Sequence, residues 1–225
     1  MRIPKQIKPE NTESVKQMLS VFALSMKLLD GGMSWADRFP RGLITEKFLI
    51  ENILCRTYAP EQIEWNSESL YRQLYGKPDG TPDVGYDVIA DGMKIDSKYD
   101  SGLANKQIHL GLFTNSGTPL LLTKNKANVS AHVYIHSRVL CAVEKLLNKK
   151  AIAAGRNPIS EHTLRILWID LDKLRADLVE TNGKYSIGKY SEWTVYRKGE
   201  PCDRIITLPM SFLLTKYGRL DTIEC

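Results

Sequence analysis

The dipeptide Asp91-Gly92 constrains this chain most, because it stands between two segments whose apolar and polar residues alternate. A two-residue turn of this composition takes positive φ and joins antiparallel strands in one fixed register. Tyr86 to Ala90 and Met93 to Lys98 are the strands it predicts. Counting outward from the turn, Ala90 faces Met93, Val88 faces Ile95, Asp87 faces Asp96 and Gly85 faces Lys98. Successive side chains point to opposite sides of a strand. One face therefore carries Tyr86, Val88, Ala90, Met93, Ile95 and Ser97, mostly apolar and expected in the core. The other carries Asp87, Ile89, Lys94, Asp96 and Lys98.

Two carboxylates directly opposite one another repel, and a sequence shaped for stability alone seldom puts them there. A divalent cation between them removes the conflict, and paired carboxylates are hard oxygen ligands suited to Mg2+. Such an ion binds a phosphate, stabilises developing charge and lowers the pKa of an attacking water. Lys98 points to the same face as Asp96, placed to orient that water or offset transition-state charge. Gly85 opposite Lys98 leaves room for a backbone phosphate. The competing reading is a surface hairpin with a solvated charged face.

The flanking sequence predicts helices and further strands. A helix over Thr12 to Leu29, capped by Asn11 or Thr12 and ended by Gly31-Gly32, presents Val15, Met18, Leu19, Phe22 and Met26. A second helix runs from Leu43 to Tyr58, before Pro60. Ile63 to Trp65 is a short strand, Ser67 to Tyr75 a short helix, and Gly76 to Pro82 a loop. Thr118 to Thr123, Leu164 to Asp170, Ser191 to Arg197 and Arg204 to Leu208 are strand candidates, and Ser137 to Lys150 a helix. The fold class expected is α/β, a mixed central β-sheet flanked by helices. The expected organisation is one domain over residues 1–225, with its core at about 43–170 and N-terminal helical and C-terminal additions.

The 225 residues are 43% hydrophobic and 25% charged, an ordinary globular balance that argues against disorder. The net charge of +5 is compatible with a polyanionic partner without requiring one. Cys55, Cys141, Cys202 and Cys225 form no CxxC pair, so no zinc knuckle or iron–sulfur site is suggested. Cys55 and Cys141 lie in apolar stretches and are expected as buried free thiols in a reducing cytoplasm. The N-terminus lacks an apolar signal core, and Lys or Asp interrupts every long apolar run, so no membrane span is expected.

Pro82-Asp83, Asp87 and Asp96-Ser97-Lys98 together resemble the signature of the PD-(D/E)xK nuclease superfamily, which includes many type II restriction endonucleases, junction resolvases and repair nucleases. The resemblance covers roughly residues 43–98, with weaker agreement through Asp170. It implies a restriction-endonuclease-like core with a first carboxylate at the base of the hairpin. Register assigns that carboxylate to Asp87; the literal Pro-Asp pair assigns it to Asp83, of the same parity but further down the strand. The family often adds a glutamate from the preceding helix. Glu46 falls between Ile50 and Ile53, inside the arc of Leu43, Leu49 and Leu54. A glutamate on a buried stripe needs a partner, which is the metal or a buried Arg or Lys. Glu51, on the flank beside Ile44 and Tyr58, is the weaker candidate.

The resemblance implies a Mg2+-dependent, sequence-specific double-stranded DNA endonuclease of type II restriction kind, in a prokaryotic cytoplasm. Glu46, Asp87 and Asp96 would hold the metal and Lys98 would assist the water. Cutting a palindrome on both strands implies a homodimer. No GxxxxGK[ST] loop is present, so ATP is not expected. Lys106, Gln107, His109, Asn115 and Ser116 lie in a polar, glycine-punctuated stretch after Lys98 and suit base edges or phosphates; a plain surface loop is the competing reading. Lys124, Lys126, Lys149, Lys150 and Arg156 form a second basic concentration. His132 and His136 share one face of a strand without a completing glutamate and are set aside as metal ligands. Asp170 and Asp172 are site or surface residues. The alternatives are a structure-specific nuclease, such as a junction resolvase or repair enzyme, and a non-enzymatic nucleic-acid-binding protein.

Overall fold

A computed structural model describes residues 3–4, 13–29, 35–66, 85–114, 116–123, 126–137, 162–197 and 199–224. The expected helix at 67–75, the loop at 76–82 and the expected helix at 138–150 lie outside them. The described strands are β1 (Ile63–Trp65), β2 (Val88–Ala90), β3 (Met93–Tyr99), β4 (Gln107–Thr114), β5 (Val129–Ser137), β6 (His162–Asp170), β7 (Val179–Thr181), β8 (Lys184–Ile187), β9 (Tyr190–Ser191), β10 (Trp193–Arg197), β11 (Glu200–Pro209) and β12 (Gly218–Glu224). The α-helices are α1 (Glu13–Leu28), α2 (Trp35–Asn52), α3 (Leu171–Ala176) and α4 (Met210–Lys216).

The hairpin forms in the expected register. Asp91 and Gly92 take φ of 49° and 72°, and Val88, Ile89 and Ala90 pair with Ile95, Lys94 and Met93. Burial alternates along β3, with Met93, Ile95 and Ser97 inward. Tyr86 departs from its expected face. Its ring lies 5.2 Å from Lys94 Nζ and packs with the core on the polar side of the hairpin. Regular pairing starts only at Val88, because Asp87 is a bend and Gly85 has φ of 73°, so strand parity no longer governs Tyr86.

The hairpin sits in a six-stranded sheet of order β1-β2-β3-β5-β6-β12. Only the β3–β5 pair is parallel, so the sheet is mixed. One face is covered by α1 and α2. Val15, Leu19, Phe22 and Met26 of α1 form a buried stripe, and Phe22 stacks on Phe48 of α2 with ring centroids 4.0 Å apart. They meet Val88, Ile95, Val129, Ala131, Val133, Ile166 and Trp168 of the sheet. Each large apolar side chain buried in this way contributes about 1.5–3 kcal/mol. Among the described residues, the opposite face is covered by a second sheet of order β10-β11-β4, with α3 and α4. There Leu167 and Ile169 pack against Ile108, Leu110, Ile206, Leu208, Leu174 and Leu213.

Several expectations change. α2 starts upstream of Leu43 and stops at Asn52 rather than Tyr58. Pro40 lies inside it and forfeits the bond that its N–H would have given Ala36 O. Past Ile53 the backbone tightens into a 3₁₀ turn over Leu54–Arg56, with the N–H groups of Thr57 and Tyr58 both on Leu54 O. Cys55 lies in that turn and is exposed, not buried; Cys141 is outside the described residues. The stretch after Lys98 contains a full strand, β4, with Ile108, Leu110 and Leu112 buried. Thr118 to Thr123 is turn rather than strand, although it runs beside β4, with a Phe113–Pro119 bridge and the Leu120 and Leu122 N–H groups donating to Leu112 O and Gly111 O. Pro119 has no N–H to donate, and Thr123 Oγ1 shares Leu112 O with the Leu120 N–H. No helix among the described residues is long and apolar enough to cross a membrane.

Candidate active site

Asp87 lies at the bend that opens β2. Its N–H donates to Ile95 O at 2.8 Å, and its Oδ2 accepts the Ser97 N–H at 2.7 Å. The carboxyl is thereby turned inward between the two strands. Burial pushes its pKa well above the usual carboxylate range, and the charges of Asp96 and Glu46 push the same way; the Ser97 N–H and Lys98 only partly offset them.

Glu46 comes from α2, on the face of the sheet opposite to the one Asp96 takes, and its charge is felt by Asp87. It is 5% exposed, as its position on the apolar stripe predicts, and its Oε2 accepts the Trp65 indole N–H at 2.9 Å. Burial raises its pKa, the Trp65 bond opposes that rise, and the charge of Asp96 adds to it. Its hydrogen-bond partner is thus an indole on β1. Asp96 projects from β3 with its carboxylate largely covered. Its Oδ2 is buried and makes no hydrogen bond, although Lys98 Nζ stands 3.5 Å away. Asp87, Asp96, Glu46 and Lys98 therefore lie within one electrostatic neighbourhood, built from the hairpin and the helix before it.

The donor types suit a hard divalent cation: carboxylate oxygens, with the charge of Asp96 raising the pKa of both Asp87 and Glu46 and one Asp96 oxygen making no hydrogen bond. The carboxylates are not drawn into a single coordination sphere; among the described residues no group of three or more His, Cys, Asp or Glu stands close enough to hold a metal ion. Asp83 lies outside the described residues. Glu51 does not join the cluster: it is exposed and pairs with Lys47 at 3.7 Å.

Of the residues expected to contact DNA, Lys106, Gln107, His109 and Ser116 are all exposed, and Asn115 is outside the described residues. Lys106 has φ of 57° and turns the chain into β4, whose outward side carries Gln107 and His109. Ser116 Oγ binds Thr114 and Thr118 across the loop that follows. His109 Nδ1 meets Thr207 Oγ1 at 2.8 Å, and the same hydroxyl accepts the Trp193 indole N–H at 2.9 Å. The His109 and Trp193 rings meet edge to face at 6.3 Å, and Trp193 is 47% exposed. Trp193 and Thr207 are remote in sequence from His109, so only strand pairing assembles this polar and aromatic surface.

Other groups gain definite places. Asp170 caps α3 by accepting the Lys173 N–H at 3.0 Å, and Asp172 binds Asn128 and Arg175. Arg175, which sequence reasoning did not single out, donates to Leu121 O and Ala127 O and feels the charge of Asp96. Lys126 is exposed, while Lys124, Lys149, Lys150 and Arg156 are outside the described residues. His136 is exposed, but His132 is fully buried, with Nδ1 2.7 Å from Asp100 Oδ2.

No family model, curated protein or solved structure matches this chain.

Proposed function

We propose that the chain is a Mg2+-dependent DNA endonuclease of the PD-(D/E)xK kind, cutting double-stranded DNA at a specific sequence. The observation that carries the reading is Asp96 on the polar face of the hairpin, its Oδ2 buried without a hydrogen bond and Lys98 Nζ 3.5 Å away, with its charge raising the pKa of both Asp87 and Glu46. A purely structural hairpin gains nothing from that arrangement.

Asp87, Asp96 and Glu46 would hold the ion. When bound, Mg2+ supplies charge neutralisation and a Lewis acid for the scissile phosphate. Lys98, part-exposed at the mouth of the cluster, orients the attacking water and offsets charge gathering on the phosphate oxygens. Trp65 fixes the Glu46 carboxylate, and the Ser97 N–H fixes that of Asp87. The outward side of β4 and its partners, with Gln107, His109, Thr207 and Trp193, suits groove or base contacts close to this site, since His109 lies near enough to influence Asp100 at the end of β3. A symmetric dimer would place two such sites on opposite strands.

The test is incubation of the purified chain with plasmid and phage DNA, with Mg2+ and with EDTA. Discrete Mg2+-dependent fragments support sequence-specific cleavage. Cleavage confined to branched DNA would replace this with the structure-specific reading, and intact DNA on all substrates would remove the nuclease reading.

A further inference from the structure

α1 lacks a charged outer side. No charged residue stands between Lys16 and Lys27, so the helix that buries Val15, Leu19, Phe22 and Met26 presents apolar and small polar side chains to solvent as well. A surface helix ordinarily carries charge on its outer side, and a helix apolar all round is a buried one. Val21, Leu24 and Leu28 are nevertheless 61%, 41% and 76% exposed. Among the described residues, no other helix or strand exposes three large apolar side chains. With the exposed Ser14 and Gln17 they recur at alternating spacings of three and four, which draws one uncharged ridge along the outer side of α1. Beside the ridge, between α1 and α2, lies a groove of about 480 Å³ lined by Met18, Val21, Phe22, Ile44 and Phe48. The exposed Lys47–Glu51 pair stands at its edge.

We propose that the outer side of α1 and the α1–α2 groove form a symmetric interface with a second copy of this chain. Ridge and groove lie side by side, so a copy turned about a two-fold axis offers groove to ridge and ridge to groove. With the axis at Val21 and the two helices antiparallel, Leu24 meets Met18 in the groove of the second copy and Leu28 meets its Ser14. The middle of the surface gives a polyanion little to hold, since Lys47 is paired with Glu51. α1 spans 16 residues, about 24 Å, and two helices side by side cover about 20 Å across, so the contact buries roughly 500 Å² on each copy and about 1000 Å² in all. That meets the lower bound for specific interfaces and implies a dissociation constant of about a micromolar or weaker. The inference stands on this surface and not on the nuclease reading.

The experiment is sedimentation velocity of the full chain, without DNA or metal, over about 1–200 µM, a range that brackets the affinity an interface of this size implies. The wild-type chain is expected to pass from monomer to dimer across it. Val21→Glu, which sets two like charges face to face at the axis, is expected to raise Kd at least about a hundredfold, and Leu24→Glu to raise it as well. Val179→Glu, at an exposed apolar position on β7 that shares no element with the ridge, is expected to leave the dimer intact. Both α1 variants keep the melting temperature of the wild-type monomer, because neither side chain is buried within its own chain. A wild-type chain that stays monomeric throughout overturns the inference, and flotation of that monomer with anionic phospholipid vesicles gives the ridge to a lipid surface instead. A dimer that persists in Val21→Glu and Leu24→Glu overturns it too, because another surface then holds the copies.

Discussion

Asp87→Asn separates a metal site from a structural hairpin by a change of sign in stability. The substitution keeps the size of the side chain and an oxygen to accept the Ser97 N–H, while removing a negative charge buried beside Asp96 and Glu46. The folded pKa of Asp87 is raised, so the native state binds more proton than the unfolded chain between the ordinary Asp value and the folded one. Stability then falls as pH rises through that window. Without metal, above that window the wild-type chain carries the unfavourable charge and the variant does not. Removing such a buried charge while keeping its hydrogen bond is worth about 1–3 kcal/mol. For a chain of 225 residues each kcal/mol moves Tm by about 2–4 °C, so the variant melts roughly 2–12 °C higher in EDTA. At mildly acid pH the gap closes, because wild-type Asp87 takes up its proton. Excess Mg2+ reverses the order, since binding at about 100 times Kd stabilises the wild type by about 2.7 kcal/mol. Thermal melts of both chains at acid and alkaline pH, with EDTA and with Mg2+, read all four corners. A variant that melts lower than wild type in EDTA above that window would refute the argument, because Asp87 would then be a stabilising charge in the folded chain.

Three further outcomes follow from the same geometry. Asp96→Ala and Lys98→Ala each lower the single-turnover cleavage rate by about 10²-fold or more while DNA binding persists; normal cutting by either variant removes the site assignment. Trp65→Phe takes the donor from Glu46, costing about 1.5–3 kcal/mol in a denaturant melt and raising the Glu46 pKa further, so the loss grows from mild acid toward alkaline pH; a flat difference across pH would show that the bond does not set the charge on Glu46. Trp193→Ala weakens DNA binding by about 1–3 kcal/mol if a base or sugar stacks on the exposed indole, with little change in Tm, and equal affinity in a gel-shift titration places the DNA elsewhere.

The hairpin was legible in the sequence because its physics is local. Asp91-Gly92 sets the turn, the turn sets the register, and the register sets which face each side chain takes through Val88 and Met93 to Lys98. The burial of Glu46 was equally legible from helical spacing. Local rules failed where pairing is long-range. β4 reads as a polar loop because Gly111 and Lys106 interrupt its alternation, yet it becomes a strand when β11, about a hundred residues later, supplies partners for it. Thr118 to Thr123 reads as a strand, yet it turns, with the Thr123 hydroxyl binding both the Leu120 N–H of its own segment and Leu112 O of β4. Tyr86 changes face because one bend at Asp87 suspends strand parity.

The sequence alone determined a hairpin that sends Asp96 and Lys98 to one face, since spacing along a pleated strand fixes direction whatever lies beyond it. Tertiary structure decided what surrounds them. The parallel pairing of β3 with β5 brings Ser130 and His132 alongside, α2 delivers Glu46 to Trp65, and β10 and β11 set Trp193 and Thr207 beside His109. Those neighbours are separated by tens of residues along the chain, and only burial of the two apolar cores on either side of the central sheet brings them into contact.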